Sequence, residues 1–389
     1  MSVGSQFNMH HVNAMIIRGG SSKGVYLDVG DLPPPGAERD EVILRIFGSP
    51  DARQIDGLGG ADKLTSKVGV MGPPTRGDCD IDFLFGQVNQ TLPRIDWSSN
   101  CGNLSSGAAY YAALKGMGRV AGDMLEVRIH QVNLGRRLLA RVPIRDGAPE
   151  IEGDYAIGGV PGTSARLDLD FVDFAGAVFG KGPLPTGNPV DRVDVDGIGP
   201  LDMSLVDMAN FHVFVRAEDV GLPVGKSVGE LQSDNSLVRK LENVRMAACR
   251  LVGFGDGQDL AEQLKISVNP LLYAVAPPLE YMQSNGDMIR PSEYDLFSRS
   301  FARYEFSKAY PASGSIGTTV AVGLPGTVAN RSVDPELFAR EAFTIRTGHP
   351  SGIVDVDVSL NQAKVAVNYA RIGRTARLLM DGKAYYRAP

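Results

Sequence analysis

A cysteine stands between polar and glycine residues in Asn100-Cys101-Gly102-Asn103, directly before a stretch of small residues. The pattern predicts a helix over Leu104 to Lys115, followed by Gly116. A thiol at this junction faces backbone N–H groups without intrahelical partners and the positive end of the helix dipole, and both favour the thiolate. The same N–H groups favour a substrate carboxylate. A turn cysteine that happens to precede a helix is the alternative.

A second candidate is Lys67 in Ser66-Lys67-Val68, which stands between hydroxyl residues and an apolar run. Partial burial disfavours a charged amine and would make Lys67 a base. A surface lysine at a strand start is the alternative, and it is the commoner case for an arbitrary lysine. The glycines of Gln54 to Gly60 superficially suggest a phosphate loop, but the Gly-x-x-x-x-Gly-Lys-Ser/Thr pattern is missing, so nucleotide binding is rejected.

Two polar turns are weaker candidates. Arg18 to Ser22 combines one cation, backbone N–H groups and two hydroxyls, which suits a carboxylate cradle or an ordinary turn. Thr347 to Gly352 contains His349, either a proton carrier near neutral pH or a hydrogen-bonded turn residue. Cys79 has carboxylates on both sides, which disfavour a thiolate, and is therefore interpreted as structural.

Composition limits the class of protein. The chain has 389 residues, a net charge of −6, three cysteines and five histidines. This length predicts two domains, and the negative charge argues against nucleic-acid binding. No apolar run is long enough to span a membrane, and Met1 to His11 lacks the apolar core of a signal peptide. An odd, scattered set of cysteines favours the cytoplasm over a disulfide framework, and no recognisable metal-ligand spacing occurs.

Short β-rich runs separated by Gly and Pro dominate, with few helices, so a doubly wound fold is not expected. Two predicted helices are amphipathic, Arg39 to Phe47 and Ser236 to Leu251, the second carrying Cys249 in its core face. Two others consist of small residues, Leu104 to Lys115 and Gly314 to Gly323, which suits central helices wrapped by sheet. The predicted strands are Asn13–Arg18, Gly24–Asp28, Asp80–Phe85, Met124–Val132, Arg137–Pro143, Leu201–Val206, Phe211–Val215, Leu271–Val275, Val354–Leu360 and Ala363–Tyr369.

One small-residue helix in each half hints at an internal duplication. The turn-rich stretch Leu184 to Pro189 predicts the boundary, which gives domains at 1–188 and 189–369.

Several of these segments, taken in order, resemble the PrpF family, whose members include 2-methylaconitate cis-trans isomerase, methylitaconate Δ-isomerase and 4-oxalomesaconate tautomerase. The resemblance runs from about Met15 to Gly382 and is specific as an ordered set. The segments that carry it are Met15 to Gly24, Gln54 to Gly57 with Gly59-Gly60, Thr65-Ser66-Lys67, Asp82 to Val88, Asp96-Trp97, Asn100 to Leu104 and Gly348 to Gly352.

This resemblance implies an α+β, diaminopimelate-epimerase-like fold: two pseudo-symmetric domains, each a curled, mostly antiparallel sheet around a central helix. In that fold the chain end returns to the first domain, so 370–389 is expected to complete it. The resemblance also implies a proton and double-bond shift in an unsaturated polycarboxylate, without cofactor or metal. Lys67 is the implied base and Cys101 its acid or orienting partner, although the two roles could be exchanged.

The turns and helix starts of the family imply the substrate contacts. Those contacts are Arg18, Ser21, Ser22, Ser66, Gly102, Asn103, Leu104, Lys308, His349, Ser351 and Gly352.

The sequence departs from its relatives at three places. Ser307 to Ser313 contains no cysteine, whereas the epimerases have a second catalytic thiol there, which disfavours a two-thiol racemase. Tyr310 replaces an expected histidine, and Asp62-Lys63-Leu64 replaces small hydroxyl residues, so the sequence leaves the substrate open.

An allylic isomerase of a di- or tricarboxylate is therefore the leading hypothesis. An epimerase-like racemase and a non-catalytic polycarboxylate-binding or accessory protein are the alternatives. The expected partner is a small-molecule polycarboxylate, not nucleic acid or membrane. A homodimer is a reasonable expectation, although the sequence leaves the oligomeric state open.

Overall fold

The computed structural model describes residues 9–255 and 259–387. Up to residue 170 the elements are β1 (Met9–Gly19), β2 (Ser22–Asp28), α1 (Ala37–Phe47), β3 (Lys67–Gly72), β4 (Ile81–Val88), β5 (Ile95–Asp96), α2 (Gly102–Leu114), β6 (Arg119–Ala121), β7 (Met124–Gln131), β8 (Arg136–Arg145), β9 (Ala148–Pro149) and β10 (Leu167–Asp170). The remainder are β11 (Asp191–Val195), β12 (Gly199–Met208), β13 (Asn210–Arg216), α3 (Val228–Ser233), α4 (Asn235–Val252), α5 (Leu260–Ile266), β14 (Leu271–Ala276), β15 (Tyr281–Met282), β16 (Met288–Ile289), β17 (Leu296–Ala302), β18 (Glu305–Phe306), α6 (Ala312–Gly323), β19 (Ala342–His349), β20 (Gly352–Leu360), β21 (Val367–Arg374) and β22 (Ala376–Arg387). Short 3₁₀ turns lie at Val29–Asp31, Val172–Phe174, Pro291–Glu293, Asn330–Ser332 and Pro335–Phe338.

The chain divides into two compact units. The first contains the described residues up to Leu169 and those from Arg374 onward, and the second runs from Asp170 to Gly373. This division falls before the predicted boundary at 188/189. The reason is local, because the irregular segment after β10 is bonded to β12: the Asp207 carboxylate accepts the N–H groups of Val178 and Phe179 at 3.0 and 2.7 Å.

In the first unit the strands pair in a fixed sequence of directions. β1 and β2 are antiparallel, β2 and β3 parallel, β3 and β4 antiparallel, β4 and β7 parallel, and β7 and β8 antiparallel. The end of the chain returns as β22, which pairs with the whole of β1. The sheet thus combines residues from both ends of the sequence.

Helix α2 lies against one face of this sheet and is buried from Gly102 to Ala113. Small side chains permit the close approach. A Cβ on Gly107 would lie 2.0 Å from the hydroxyl of Tyr26 on β2. That hydroxyl donates to the carbonyl of Leu104 at 2.8 Å, which fastens the first turn of the helix to the sheet.

The second unit repeats the same sequence of strand directions. β12 and β13 are antiparallel, β13 and β14 parallel, β14 and β17 antiparallel, β17 and β19 parallel, and β19 and β20 antiparallel. Helix α6 takes the place of α2 and is buried along its whole length. A Cβ on Gly314 would lie 2.1 Å from the hydroxyl of Tyr273 on β14, so this helix also lies close to its sheet. The repeated order supports the predicted duplication.

Amphipathic helices cover the opposite faces of the two sheets. In the first unit Ile43 and Phe47 of α1 belong to one apolar cluster with Val68 and Val70 of β3. In the second, α4 packs on β12–β14, and Cys249 is fully buried there as predicted. Because strand residues alternate between faces, Lys67 points away from α1 and toward the central helix.

The four predicted helices are confirmed as α1, α2, α4 and α6, and each begins one or two residues earlier than expected. All ten predicted strands overlap observed ones. Several strands were not predicted, among them β3, β17, β19 and β22.

We expect Gly107→Ala and Gly314→Ala each to lower the free energy of unfolding by about 1–3 kcal/mol, because the added methyl group must displace a buried tyrosine. Gly229→Ala is the matched control, since that helical glycine has no neighbour near the added Cβ. The control should be neutral or stabilise by up to about 1 kcal/mol. Urea denaturation of the three variants measures the difference, and equal values would contradict the close packing.

Candidate active site

Cys101 is the N-cap residue of α2, with φ −130° and ψ 101°. Its carbonyl accepts the backbone N–H of Ser105 at 2.9 Å and the Ser105 hydroxyl at 3.0 Å. Gln131, fully buried on β7, donates to the same hydroxyl at 2.7 Å. The backbone of Cys101 is therefore held from both the helix and the sheet, and its half-buried thiol lies where the helix dipole is positive.

Lys67 begins β3 and is buried, with 8% of its surface exposed. Its Nζ lies 3.5 Å from Cys101 Sγ and 3.0 Å from Gln87 Oε1. The amine also lies 5.2 Å from the centre of the Phe85 ring. Lys67 and Gln87 are cross-strand partners on β3 and β4, so sheet register brings them together. The amine and thiol predicted to do chemistry are thus in direct contact.

Ser66 is fully buried, and its hydroxyl donates to Gln54 Oε1 at 2.6 Å. Gln54 also accepts the N–H of Ala61 at 2.8 Å, so the glycine-rich loop folds around this amide. The role of Ser66 as a substrate contact stays a prediction. Its hydroxyl fixes the loop that leads into Lys67.

The first polar turn lies beside the start of α2. Asn103 Nδ2 donates to the hydroxyl of Ser21 at 3.0 Å and lies 3.5 Å from that of Ser22. Gly20 has φ +53°, and a Cβ there would lie 2.2 Å from Asn103 Oδ1, so both conformation and space require glycine. The structure therefore brings the predicted contacts Ser21, Ser22 and Asn103 together.

Arg18 has a different surrounding from the predicted carboxylate cradle. Its Nη1 donates to the carbonyl of Gly20 at 3.0 Å and to the carbonyl and hydroxyl of Thr375 at 3.1 and 2.9 Å. Burial and the nearby Arg377 lower the pKa of Arg18. These contacts join the turn to the residue before β22, which gives Arg18 a structural task.

In the second unit the turn between β19 and β20 gathers the remaining predicted contacts. Ser351 donates its hydroxyl to the carbonyl of Lys308 and its N–H to His349 Nδ1, the latter at 3.2 Å. The Gly352 carbonyl accepts the Tyr281 hydroxyl at 2.8 Å. Lys308 is exposed, whereas His349 is only 3% exposed.

Tyr310, the predicted departure, is part of this group. Its ring stacks on His349 with centroids 5.6 Å apart, and its hydroxyl bonds Ser298 at 2.8 Å and Thr318 at 2.7 Å. Burial raises the pKa of Tyr310, so the hydroxyl is neutral. Tyr310 therefore supports one side of the imidazole.

The family model of the PrpF protein matches residues 9–387. The chain belongs to the PrpF family. It is 38% identical to 3-methylitaconate isomerase of Eubacterium barkeri, over 96% of this chain and 97% of that protein. It is 34% identical to 2-methyl-aconitate isomerase of Shewanella oneidensis, over 97% of each chain.

Solved structures agree with this membership. The crystal structure of methylitaconate-delta-isomerase superposes with a TM-score of 0.80 at 37% identity, covering 98% of this chain and 96% of that one. A hydroxyproline epimerase from Agrobacterium vitis superposes with a TM-score of 0.55 at 12% identity, covering 98% of this chain and 94% of that one. The second likeness concerns fold alone, and together the two confirm the predicted α+β, diaminopimelate-epimerase-like class.

Within this PrpF protein the two units differ at the positions of Lys67 and Cys101. Pro311 is the N-cap residue of α6, where α2 has Cys101. The parallel register pairs Lys67 of β3 with Gly24, and it pairs Leu271 of β14 with His212 at the corresponding place. An apolar residue and a proline therefore replace the lysine and the cysteine in the second unit.

No group of three or more His, Cys, Asp or Glu side chains suited to a metal ion occurs within residues 9–255 and 259–387. Over the same residues, none of the helices is long and apolar enough to cross a membrane.

Gln87 and Gln131 were not identified as site residues from the sequence. Strand pairing brings both residues to the site, and a local sequence pattern does not show it, because Gln87 lies 20 residues from Lys67 in the chain. The sole sequence signal was that Gln87 stands in a segment that resembles the family.

We expect iodoacetamide at about pH 8 to alkylate Cys101 in the native protein and to leave Cys79 and Cys249 unmodified. Burial raises the pKa of Cys79 to about 11 and that of Cys249 to about 12, so both thiols stay protonated. Peptide mass spectrometry locates the label, and Cys101→Ser should remove it. Comparable labelling at Cys79 would contradict this assignment of the reactive thiol.

Proposed function

We propose that this protein is an isomerase that moves a proton and a double bond in an unsaturated di- or tricarboxylate without a cofactor. The observation that carries the proposal is the 3.5 Å contact between Lys67 Nζ and Cys101 Sγ at the N-terminus of a buried helix. The names of relatives that are 34–38% identical over nearly the full length confirm the isomerase class. The same names fit methylitaconate or 2-methylaconitate as the substrate, and the family resemblance adds 4-oxalomesaconate as a third candidate.

The chemistry begins when a base removes a proton from a carbon next to the conjugated carboxylate system. The C–H electron pair enters the π system and gives a dienolate, whose negative charge spreads onto a carboxylate oxygen. We assign Lys67 as this base and Cys101 as the acid that protonates the other end of the allylic system. The reverse assignment uses the same two atoms.

The Lys67–Cys101 contact closes the cycle. After the thiol has protonated the substrate, the ammonium of Lys67 can return its proton to the thiolate across 3.5 Å. Proton and charge therefore balance without any external reactant. The resting pair is restored in one transfer.

Carboxylates of the substrate need donors that tolerate negative charge. The first N–H groups of α2, at Gly102, Asn103 and Leu104, lack intrahelical partners and lie at the positive helix end. Ser21 and Ser22 add hydroxyls beside them, and we assign Lys308, His349, Ser351 and Gly352 to substrate binding in the second unit. These donors also stabilise the dienolate electrostatically.

A racemase that acts from two faces with two thiols is not supported, because Pro311 stands at the N-cap of the second central helix. A binding or accessory protein is the other candidate, and it requires that the protein binds a polycarboxylate without converting it. The cytoplasm is the location we propose, on the evidence of three free cysteines. The homodimer stays a prediction.

Proton NMR in deuterated buffer tests the proposal with methylitaconate, 2-methylaconitate, aconitate isomers and 4-oxalomesaconate. We expect one of them to show double-bond migration or cis-trans interconversion, with deuterium at the allylic carbon. Lys67→Ala and Cys101→Ser should each lower kcat by about 10²–10⁴-fold. Lys115→Ala is the control, because this lysine caps the opposite end of α2. Full activity in both active-site variants would overturn the assignment, and tight binding without turnover by the native protein would favour the binding protein.

A further inference from the structure

Gln87 is almost fully buried, with 2% of its surface exposed, and all three of its polar contacts have a defined direction. Oε1 accepts from Lys67 Nζ at 3.0 Å. Nε2 donates to the carbonyl of Ser66 at 2.9 Å and to that of Lys63 at 3.2 Å. The amide thus joins the loop before β3 to the amine at the start of β3.

These contacts allow the amide one orientation. Rotation by 180° would direct Oε1 at two carbonyl oxygens and the NH₂ group at the amine of Lys67. Both carbonyls would then lose their donor in a buried place, which is unfavourable. The oxygen of Gln87 is therefore held toward Lys67 by the backbone itself.

The Lys67 amine has few polar contacts besides Gln87. Among the described residues its amine contacts Gln87 Oε1, Cys101 Sγ and the face of the Phe85 ring, and no carboxylate forms an ion pair with it. A neutral amine has two N–H bonds and one lone pair. When the two N–H bonds point to Oε1 and Sγ, the lone pair has a single remaining direction.

We propose that Gln87 is a positioning residue that fixes the rotation of the Lys67 amine, so that one N–H meets the Cys101 thiol and the lone pair is free for the substrate proton. The inference rests on the proposed function, and it adds a residue that the sequence did not identify. Gln87 itself touches no reacting atom. It acts through Lys67.

The duplicated unit supports this assignment by comparison. Leu271 of β14 corresponds to Lys67, and β17, the strand that corresponds to β4, ends with Phe301, the partner of Leu272, and Ala302. Where the second unit has no lysine it also has no amide. A glutamine required only for the fold of the sheet would be expected in both units.

The experiment compares alkylation of Cys101 by iodoacetamide in the native protein, Gln87→Met, Lys67→Met and the double variant, with Gln90→Met as a matched glutamine control. Lys67→Met should slow alkylation of Cys101 about tenfold, because the thiolate loses the N–H donor that Lys67 directs at its sulfur. Gln87→Met should produce at least half of that effect on a logarithmic scale. The double variant should be no slower than Lys67→Met, since Gln87 acts through the lysine.

This readout separates positioning from damage to the fold. Loss of structure would speed alkylation and expose Cys79 and Cys249, which are buried in the native protein. The assay also needs no substrate, so it decides the role of Gln87 even if the NMR panel shows no turnover. Native-rate alkylation in Gln87→Met, or a double variant slowed by the sum of both effects, would overturn the inference.

Turnover provides the second measurement on the same variants once the substrate is known. We expect Gln87→Met to lower kcat by roughly 10–100-fold with KM little changed, the usual result of a misplaced catalytic group. Gln90→Met should match the native enzyme. A change in KM alone would assign Gln87 to substrate binding instead.

Discussion

The close packing of a small-residue helix against a sheet is the constraint on which the site depends. Any side chain at Gly107 would hold α2 away from β2, because even a Cβ there would lie 2.0 Å from the Tyr26 hydroxyl that donates to Leu104. That bond fixes the first turn of α2, and with it the N-cap position of Cys101. Because Lys67 faces the same side of the sheet, the helix–sheet distance sets the gap between amine and thiol. The contact between Lys67 and Cys101 is thus a consequence of core packing.

Both units contain a sheet packed on a small-residue helix, but among the described residues the lysine–cysteine contact lies in the first unit. A racemase must take a proton from one face of a carbon and deliver one to the other, which favours two symmetric groups. An allylic shift needs a proton removed at one carbon and returned at another, and a single amine–thiol pair can perform both steps. The replacement of cysteine by Pro311 and of lysine by Leu271 therefore fits the isomerase chemistry. Within the second unit, Tyr310 stacks on His349.

Much of this could be predicted from sequence, for identifiable reasons. The small-residue composition of α2 and α6 predicted their burial, and the order of family segments predicted the fold and the Lys67–Cys101 pair. β3 escaped prediction because it is short, contains glycine and lacks alternation. The partners of Arg18 and Lys67 depend on strand register, which no local pattern encodes: Thr375 lies 357 residues from Arg18. The partner of Ser66 could not be predicted for the same reason, since Gln54 lies in a loop whose path the sequence does not specify.

A base that cycles between two protonation states must be held in both. A carboxylate beside Lys67 would bind the ammonium strongly but would hold it in that form, because separating a buried ion pair is costly. An amide oxygen accepts an N–H from the amine and from the ammonium alike, so the contact with Gln87 survives proton transfer. The sulfur of Cys101 behaves in the same way, since it accepts an N–H from the lysine both as a thiol and as a thiolate. A neutral acceptor and a polarisable sulfur therefore allow the proton to move while the atoms stay in place, and this explains why a buried lysine here has an amide partner.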